Sequence, residues 1–309
     1  MTIDISIIIP VYNGENSISI SLDSLLQQTY SNFEVIIIDD GSQDNTYKVI
    51  EEYSNKDIRF KYMYQENAGV AMARNKGLEL ATGTYICFLD ADDYYDNTFL
   101  EKMYSTIIKT NTDVCYCGYN IVTPIQTTKK ISRFKQGDIL KDYILGTISI
   151  HTTGWMIKEE LLQKNRIVFS KGVSWGEDFE FFCEVLAKTN KISCVKEHLT
   201  NYRYDFSEDQ LSAFTIDKID KDYDSIKRIQ KNRVINKNEK IDRALIDYRL
   251  SALITYRLIQ AFQYGIEKEI IFKYCNKYKK YITRFTWNNG LRSMKLNINK
   301  IKLLKKLSI

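Results

Sequence analysis

The chain has 309 residues, of which 44% are hydrophobic and 2 are proline, a composition that indicates a folded protein with a substantial core and excludes a proline-rich, disordered chain. The net charge of +5 hides an asymmetry, because residues 216–309 carry 23 basic and 9 acidic side chains. The first 215 residues are therefore acidic overall. That balance argues against a nucleic-acid-binding protein, which would explain the basic end of the chain but not the rest.

Strands and helices are predicted to alternate through the first hundred residues. Runs of β-branched and aromatic residues predict buried strands over residues 5–10, 33–38, 58–64 and 85–89. Apolar residues at helical spacing predict helices from residue 16, from residue 46 and over residues 70–80. This order predicts βαβ units and an α/β fold, with a mainly parallel sheet flanked by helices.

Polar groups follow three of these strands. They are the turn at residues 10–14, the pair Asp39 and Asp40, and the acids Asp90, Asp92 and Asp93. Carboxyl ends of parallel strands share one edge of a sheet, where open α/β folds bind ligands. Three carboxylates after a buried strand need compensation, which a divalent cation such as Mg²⁺ or Mn²⁺ supplies. The alternative is a polar turn whose acids face water.

Beyond residue 212 the apolar spacing is helical, which predicts two regions, a catalytic domain over 1–212 and a basic helical region over 213–309. From Lys273 onward there are 11 basic residues and no acidic residue. The final segment, with its lysines among Ile and Leu, is similar to basic amphipathic helices that lie on anionic membrane surfaces. The alternatives are a solvated tail and a contact in a homo-oligomer.

Features that mark an exported or membrane-spanning protein are not evident in the sequence. The chain starts with a strand pattern in place of a signal peptide, and its apolar runs fall short of the ~20 residues of a membrane span. We therefore expect a cytoplasmic protein, with peripheral attachment to the inner face of the cell membrane through the basic end. The six cysteines lack metal-ligand spacing and are expected to be free and buried.

The first hundred residues resemble a known family. Four stretches carry the resemblance through their order and spacing: IIIPVYNGE, QTYSNFEVIIIDDGSQDNT, NAGVAMARNKGLELATG and YICFLDADD. They resemble the family 2 glycosyltransferases with the A-type nucleotide-diphospho-sugar transferase fold (GT-A), and a weaker resemblance continues through residues 154–158, 175–178 and 201–204. The resemblance implies an inverting, metal-dependent transfer from a UDP-sugar.

The same resemblance assigns the nucleotide site. It implies that Pro10, Val11 and Tyr12 contact the uracil together with Asp39. Tyr12 can offer a ring for stacking, and Asp39 can accept a hydrogen bond from the base. The alternative is that Tyr12 is a partly exposed turn residue and Asp39 a helix-capping acid.

Asp90-Ala91-Asp92 resembles the family's Asp-x-Asp element, which implies that Asp90 faces the ribose or the metal and that Asp92 ligates Mn²⁺ or Mg²⁺. Arg74 is expected to hold phosphate or Asp90, and the alternative is a surface arginine. Asp93 is expected to be a helix cap or a supporting acid.

The family's late Tyr-Arg-Tyr element often continues to a histidine, but Asp205 occupies that place. The third metal ligand is therefore open. His198 is a candidate, with a structural histidine as the alternative, and His151 belongs to no motif.

Acids at the start of a predicted helix supply the candidate base. The resemblance assigns Asp178 as the general base that deprotonates the acceptor hydroxyl, and Glu177 as a residue that touches the acceptor or orients the helix. A carboxylate suits this proton transfer, although acids at a helix N-terminus also serve the helix dipole. Trp175 is a candidate sugar-stacking residue.

The combined prediction is the transfer of a hexose or N-acetylhexosamine to a saccharide acceptor, lipid-linked, in surface-polysaccharide biosynthesis. One alternative is a sugar nucleotidyltransferase, although the N-terminus lacks a glycine-rich, basic phosphate loop. The other is a non-catalytic sugar-nucleotide-binding subunit.

Overall fold

The computed structural model describes residues 2–173, 175–204 and 214–307. The chain packs as two compact units, which meet in sequence between residues 204 and 214. The predicted domain boundary after Ser212 and the prediction about Asp205 lie outside the described residues.

The first unit is built on a single sheet. Its strands are β1 (Ile5–Val11), β2 (Phe33–Asp39), β3 (Phe60–Tyr64), β4 (Tyr85–Phe88), β5 (Tyr94–Tyr95), β6 (Val114–Val122), β7 (Thr127–Lys129), β8 (Trp155–Lys158) and β9 (Ile192–Arg203). The strand order is β3-β2-β1-β4-β8-β6-β9-β5, and β7 pairs with β6. Strands β1 and β2 are buried along their whole length, as expected for parallel strands covered on both faces.

The sheet is parallel in one half and mixed in the other. Strand β1 pairs in parallel with β2 and β4, and β2 pairs in parallel with β3. Strand β8 then enters antiparallel to both β4 and β6, whereas β6 and β9 are parallel. The predicted α/β fold is confirmed, and the antiparallel entry of β8 makes the sheet mixed beyond the four predicted strands.

Helices flank this sheet. They are α1 (Ile18–Leu26), α2 (Thr46–Lys56), α3 (Val70–Leu80), α4 (Phe99–Thr110), α5 (Leu140–Ile144), α6 (Glu159–Asn165) and α7 (Glu177–Lys188), with a 3₁₀ turn at Thr152–Gly154. Buried aromatic rings fix α7 against β4. Phe169 stacks on Phe181 with ring centroids 4.0 Å apart, and Phe88 meets both rings edge-on. This packing sets where the start of α7 lies.

The second unit is helical, as predicted. It contains α8 (Lys218–Lys231), α9 (Glu239–Arg243), a π-helical segment (Ala244–Leu250), α10 (Ser251–Gln263), α11 (Lys268–Lys277), α12 (Lys279–Thr283) and α13 (Leu291–Leu307). None of the described helices has the length and apolarity that a membrane crossing requires. All six cysteines are buried, as expected, and none of them is in a disulfide bond among the described residues.

Candidate active site

The polar segments predicted to converge do lie at one edge of the sheet. In the register of β1 and β2, Val11 is opposite Asp39, and the Asp40 N–H donates to the Val11 carbonyl at 2.8 Å. On the other side of β1, the Leu89 N–H donates to the Ile8 carbonyl at 3.0 Å. The turn after β1, the acids after β2 and the acids after β4 therefore leave the sheet at the same edge.

The predicted base-binding residues differ in accessibility. Tyr12 is 53% exposed, whereas Asp39 is only 2% exposed. The Asp39 carboxylate accepts from the Ser42 N–H at 2.9 Å and from the Tyr62 hydroxyl at 3.0 Å. Pro10 and Val11 are buried in the last positions of β1, so among these residues the Tyr12 ring is the most exposed side chain.

Asp40 is used by the fold itself. Its carboxylate accepts from the backbone N–H groups of Ala68 and Gly69, each at 2.8 Å. These bonds fix the start of α3, where Gly69 adopts a φ of +89° that favours glycine. Asp40 thereby sets the direction in which α3 presents Arg74.

Arg74 is a buried cation between two acids. Its guanidinium donates to Asp90 Oδ1 at 2.8 Å and to Glu177 Oε1 at 3.2 Å, and it lies 5.3 Å from the centroid of the Phe169 ring. Burial lowers the pKa of Arg74, but Asp90 and Glu177 outweigh this and raise it above its ordinary value. The surface-arginine alternative is wrong, because Arg74 joins the acids after β4 to the start of α7.

A second cluster lies beside Asp90. Potential ligand atoms of Asp90, Asp93 and His151 all lie within 4.8 Å of one another. Asp93 is 1% exposed, and its Oδ1 accepts from the Arg203 N–H at 3.0 Å. No hydrogen-bond donor among the described residues satisfies its Oδ2. Burial raises the pKa of Asp93 well above its usual range, and the charges of Asp90 and Asp92 raise it further.

His151 is the third member of this cluster. Its Nδ1 lies 3.4 Å from Asp93 Oδ2 and 3.0 Å from Thr153 Oγ1, and its ring packs against Tyr202 with centroids 4.8 Å apart. Burial lowers the pKa of His151, which favours the neutral imidazole that metals bind. Two carboxylates, one with an unsatisfied buried oxygen, and an imidazole fit a divalent cation.

This cluster contains neither of the metal ligands predicted beyond Asp90. Asp92 is exposed, with Ala91 half-buried before it. His198 Nε2 lies 3.1 Å from the Lys130 carbonyl oxygen, and its ring meets Phe134 edge-on. Asp92 and His198 as ligands stay predictions, and the structure offers Asp93 and His151 in their place.

The candidate base lies at the start of α7. Gly176 precedes the helix with a φ of +75°, so a glycine suits the turn that places Glu177 and Asp178 in the first turn. Asp178 Oδ2 accepts from Thr152 Oγ1 at 3.3 Å, and Oδ1 accepts from the Phe179 N–H at 2.6 Å. Trp175 is half-buried just before the helix.

The two acids of this turn are in different surroundings. Burial and the charge of Asp178 raise the pKa of Glu177, against the opposing effect of Arg74. Glu177 is bonded to Arg74 and therefore anchors the helix start, while Asp178 is half-buried beside Thr152. Two consecutive residues of one short turn thus contact both parts of the site. His151 contacts Asp93 of the acidic cluster, and Thr152 contacts the candidate base Asp178.

Strand β8 explains why sequence reasoning missed His151 and Thr152. In the antiparallel register of β4 and β8, Tyr85 is opposite Lys158 and Ile86 is opposite Ile157. The 3₁₀ turn at Thr152–Gly154 leads directly into β8 and packs against β4, so this pairing brings His151 and Thr152 to the edge where Asp90 and Asp93 lie. No motif or spacing signals that pairing, because the segment before Trp155 reads as an ordinary polar loop.

An acid-lined edge with a buried arginine, on a mixed sheet flanked by helices, is the architecture of a GT-A-type glycosyltransferase. The profile described as "Glycosyl transferase family 2" matches residues 6–166. The chain belongs to this family.

Named relatives agree with this assignment. Over 224 residues the chain is 32% identical to the Escherichia coli "UDP-Glc:alpha-D-GlcNAc-diphosphoundecaprenol beta-1,3-glucosyltransferase WfgD", with 71% of this chain and 84% of WfgD covered. It is 28% identical over 208 residues to the Bacillus subtilis glycosyltransferase EpsJ, with 64% of this chain covered. That match spans 60% of EpsJ, which is less than two thirds of its length.

Solved structures share the fold. The crystal structure of Staphylococcus aureus TarS 1–349 in complex with UDP-GlcNAc superposes with a TM-score of 0.73 at 23% identity. The superposition covers 99% of this chain and 90% of that one.

Proposed function

We propose that this chain is an inverting, metal-dependent glycosyltransferase that moves a hexose or an N-acetylhexosamine from a UDP-sugar to a lipid-linked saccharide acceptor in surface-polysaccharide biosynthesis. The observation that carries the proposal is the turn at residues 151–153. Within it, His151 contacts Asp93 of the acidic edge and Thr152 contacts the candidate base Asp178. The relative WfgD, which is named for a UDP-glucose donor and a diphosphoundecaprenol-linked acceptor, supports the UDP-sugar donor and the lipid-linked acceptor. The UDP-GlcNAc complex of TarS gives further support for the donor.

The acidic edge binds the donor in this proposal. Asp90, Asp93 and His151 would hold Mn²⁺ or Mg²⁺, with Asp92 as the predicted further ligand. When bound, the cation supplies positive charge that stabilises the departing diphosphate. Arg74 holds Asp90 in place through its 2.8 Å ion pair.

The turn after β1 receives the nucleoside. The exposed Tyr12 ring stacks on the uracil, and the adjoining backbone of Pro10 and Val11 shapes that side of the site. Asp39 retains lone pairs beyond its two bonds and accepts from the base N–H. Ala91 leaves room beside the ribose, where Asp90 faces the sugar.

Asp178 acts on the acceptor. Its carboxylate takes the proton of the acceptor hydroxyl as that oxygen bonds to the anomeric carbon and the bond from that carbon to the diphosphate oxygen breaks. A single displacement inverts the anomeric centre, so an α-linked donor gives a β-linked product. Glu177 holds the helix start against Arg74, and Trp175 offers a face to the acceptor sugar. We place the reaction on the cytoplasmic side of the membrane, where a lipid-linked acceptor is within reach.

A panel of UDP-sugars with candidate acceptors, with and without Mn²⁺, tests the reaction through UDP release. If no UDP-sugar binds or turns over, the proposal fails. For the base, Asp178→Asn should lower transfer by about 10²–10⁴-fold, since a positioned general base contributes that much, with UDP affinity near normal. Glu184→Gln, an acid-to-amide change on the same helix, is the matched control. Loss of UDP binding together with transfer in Asp178→Asn would show a structural role instead.

A further inference from the structure

Along the last helix of the second unit, several polar residues face inward and several large apolar residues face outward. Along α13, the buried positions include Ser293, Asn297 and Lys300, besides Leu296 and Leu303. A surface helix of a globular protein normally buries its apolar stripe and exposes its polar one. The exposed apolar residues of α13 therefore need a separate explanation.

Specific hydrogen bonds fix this orientation. Asn297 accepts from the Thr286 N–H at 3.2 Å and donates to the Thr286 carbonyl at 2.8 Å. Ser293 Oγ accepts from the Asn289 N–H at 3.1 Å, and Lys300 Nζ donates to the Arg284 carbonyl at 2.6 Å. Rotating the helix to bury its apolar stripe would break these buried bonds and leave their partners unsatisfied. The outward stripe is thus built into the packing of the unit.

The outward face has an apolar half and a basic half. The apolar half holds Leu291, Met294, Ile298 and Ile301, which are between 42% and 83% exposed. At 100° per residue these four side chains fall within a stripe about 80° wide. The exposed side chains of Lys295 and Lys302 lie beside this stripe. Lys305, also exposed, lies further toward the end of the helix.

These three lysines lie outside the ion pairs of the described part of the second unit. Within residues 214–307, no carboxylate forms an ion pair with Lys295, Lys302 or Lys305. Trp287, in the loop before the helix, is also largely exposed. An apolar stripe bordered by cations, with an exposed Trp near one end, is the pattern of a helix that lies in a membrane interface.

We infer that the outward face of α13, formed by Leu291, Met294, Ile298 and Ile301 with Lys295, Lys302 and Lys305, docks on an anionic lipid bilayer. The apolar side chains enter the headgroup–acyl boundary, and the lysines contact lipid phosphates. The inference goes beyond the transfer reaction and does not depend on the identity of the donor. It gives a physical basis to the peripheral attachment predicted from the basic end of the chain.

Charge and area favour a bilayer over a second copy of this chain. A two-fold contact through the stripe would bring the lysine rows of both copies close together, with like charges opposed. A stable dimer also buries about 800 Å² per partner, more than four side chains on one helix supply. An anionic surface complements the lysines and accepts a narrow stripe.

Vesicle flotation of the full chain tests the inference. Binding to mixed phosphatidylcholine–phosphatidylglycerol vesicles should exceed binding to phosphatidylcholine alone and fall with salt. The triple variant Lys295→Gln, Lys302→Gln, Lys305→Gln should lose about 100-fold in affinity for mixed vesicles, since each lysine near an anionic surface contributes about fivefold. The charge-matched control changes Lys231, Lys237 and Lys240 to Gln, which are exposed elsewhere in the same unit.

The stripe is tested separately. Ile298→Ser with Ile301→Ser should lower vesicle binding by at least about tenfold, while UDP affinity and thermal stability stay as in the parent chain. The control is Ile125→Ser with Ile131→Ser, two highly exposed residues of the first unit. Unchanged vesicle binding of the stripe variant would overturn the inference, as would equal binding of the parent chain to both kinds of vesicle. A dimer that dissociates in the stripe variant without any vesicle binding would assign the face to a second copy.

Discussion

Replacing Asp93 with asparagine should stabilise the metal-free protein and at the same time remove its response to Mn²⁺. Asp93 Oδ2 is buried without a hydrogen-bond donor among the described residues, and such an atom costs about 1–3 kcal/mol. An amide at that position removes the charge and can place its NH₂ group toward His151 Nδ1, which lies 3.4 Å from Oδ2. For a unit of this size, each kcal/mol raises Tm by about 2–4 °C.

The free energy of unfolding of the metal-free protein should also depend on pH through Asp93. Burial, with the charges of Asp90 and Asp92, raises the pKa of Asp93 in the folded state, so the folded protein holds this proton at pH values where the unfolded chain has lost it. The free energy of unfolding of the metal-free protein should therefore fall as pH rises from the ordinary aspartate pKa of about 3.9 toward the raised value. Asp93→Asn should lack this component, which parallel denaturant titrations of both proteins would reveal.

The metal response completes the test. At Mn²⁺ near 100 times its Kd, the parent protein should gain about 2.7 kcal/mol, measured as a rise in Tm, and Asp93→Asn and His151→Ala should lose most of it. Asp92→Asn tests whether Asp92 is a ligand besides Asp90, Asp93 and His151. The control is Glu66→Gln, a change at an exposed acid in the same unit. A metal-free Asp93→Asn protein that is less stable than its parent and keeps the Mn²⁺ response would refute the reasoning.

Three further predictions concern buried groups. Arg74→Met leaves Asp90 and Glu177 without their cation and should lower the free energy of unfolding, measured by thermal unfolding, by about 3–5 kcal/mol. An unchanged Tm would show that the ion pairs of Arg74 do not contribute to stability. Arg74→Lys should recover part of the loss. Gly83→Ala should cost about 1–3 kcal/mol, because its Cβ would lie 2.6 Å from the Ser6 backbone nitrogen; unchanged stability in denaturant would contradict this. Burial lowers the pKa of Lys300 from 10.5 to about 8, so unfolding free energy should rise between these pH values as the unfolded chain holds the extra proton. Lys300→Met should lack that rise, and equal slopes in the two proteins would exclude the effect.

The first half of the fold follows from local sequence signals. The apolar runs leading into Pro10 and Asp39 are long and β-branched, and the helix predicted over residues 70–80 is the helix observed, Val70–Leu80. Because a helix lies between each strand and the next, parallel pairing of these strands is the simplest arrangement. Strand β8 is different, because its four residues are too few to show a pattern of hydrophobic residues typical of a strand. Its antiparallel direction depends on the long segment between β4 and β8.

The candidate site divides along the same line. The positions of Asp39 and Asp90 at the sheet edge were predictable because each follows a strong strand, whereas Asp178 as the base rests on the family resemblance and stays a prediction. His151 and the burial of Asp93 were not, since both depend on the β4–β8 register and on the Arg203 backbone reaching Asp93 from β9. The sequence predicts Asp93 as a helix cap or a supporting acid, and only three-dimensional packing shows that its second oxygen has no donor among the described residues.

The charge balance of the edge supports the proposed cation. Asp90, Asp93, Glu177 and Asp178 come together around a single buried guanidinium, that of Arg74, which is committed to Asp90 and Glu177. Thr152 gives Asp178 a neutral partner, and burial keeps His151 neutral by lowering its pKa. Asp93 is the buried acid of this group with an oxygen that has no hydrogen-bond donor among the described residues. Since a buried carboxylate either takes up a proton or acquires a cation, the same residue that weakens the metal-free fold is the one suited to bind the metal.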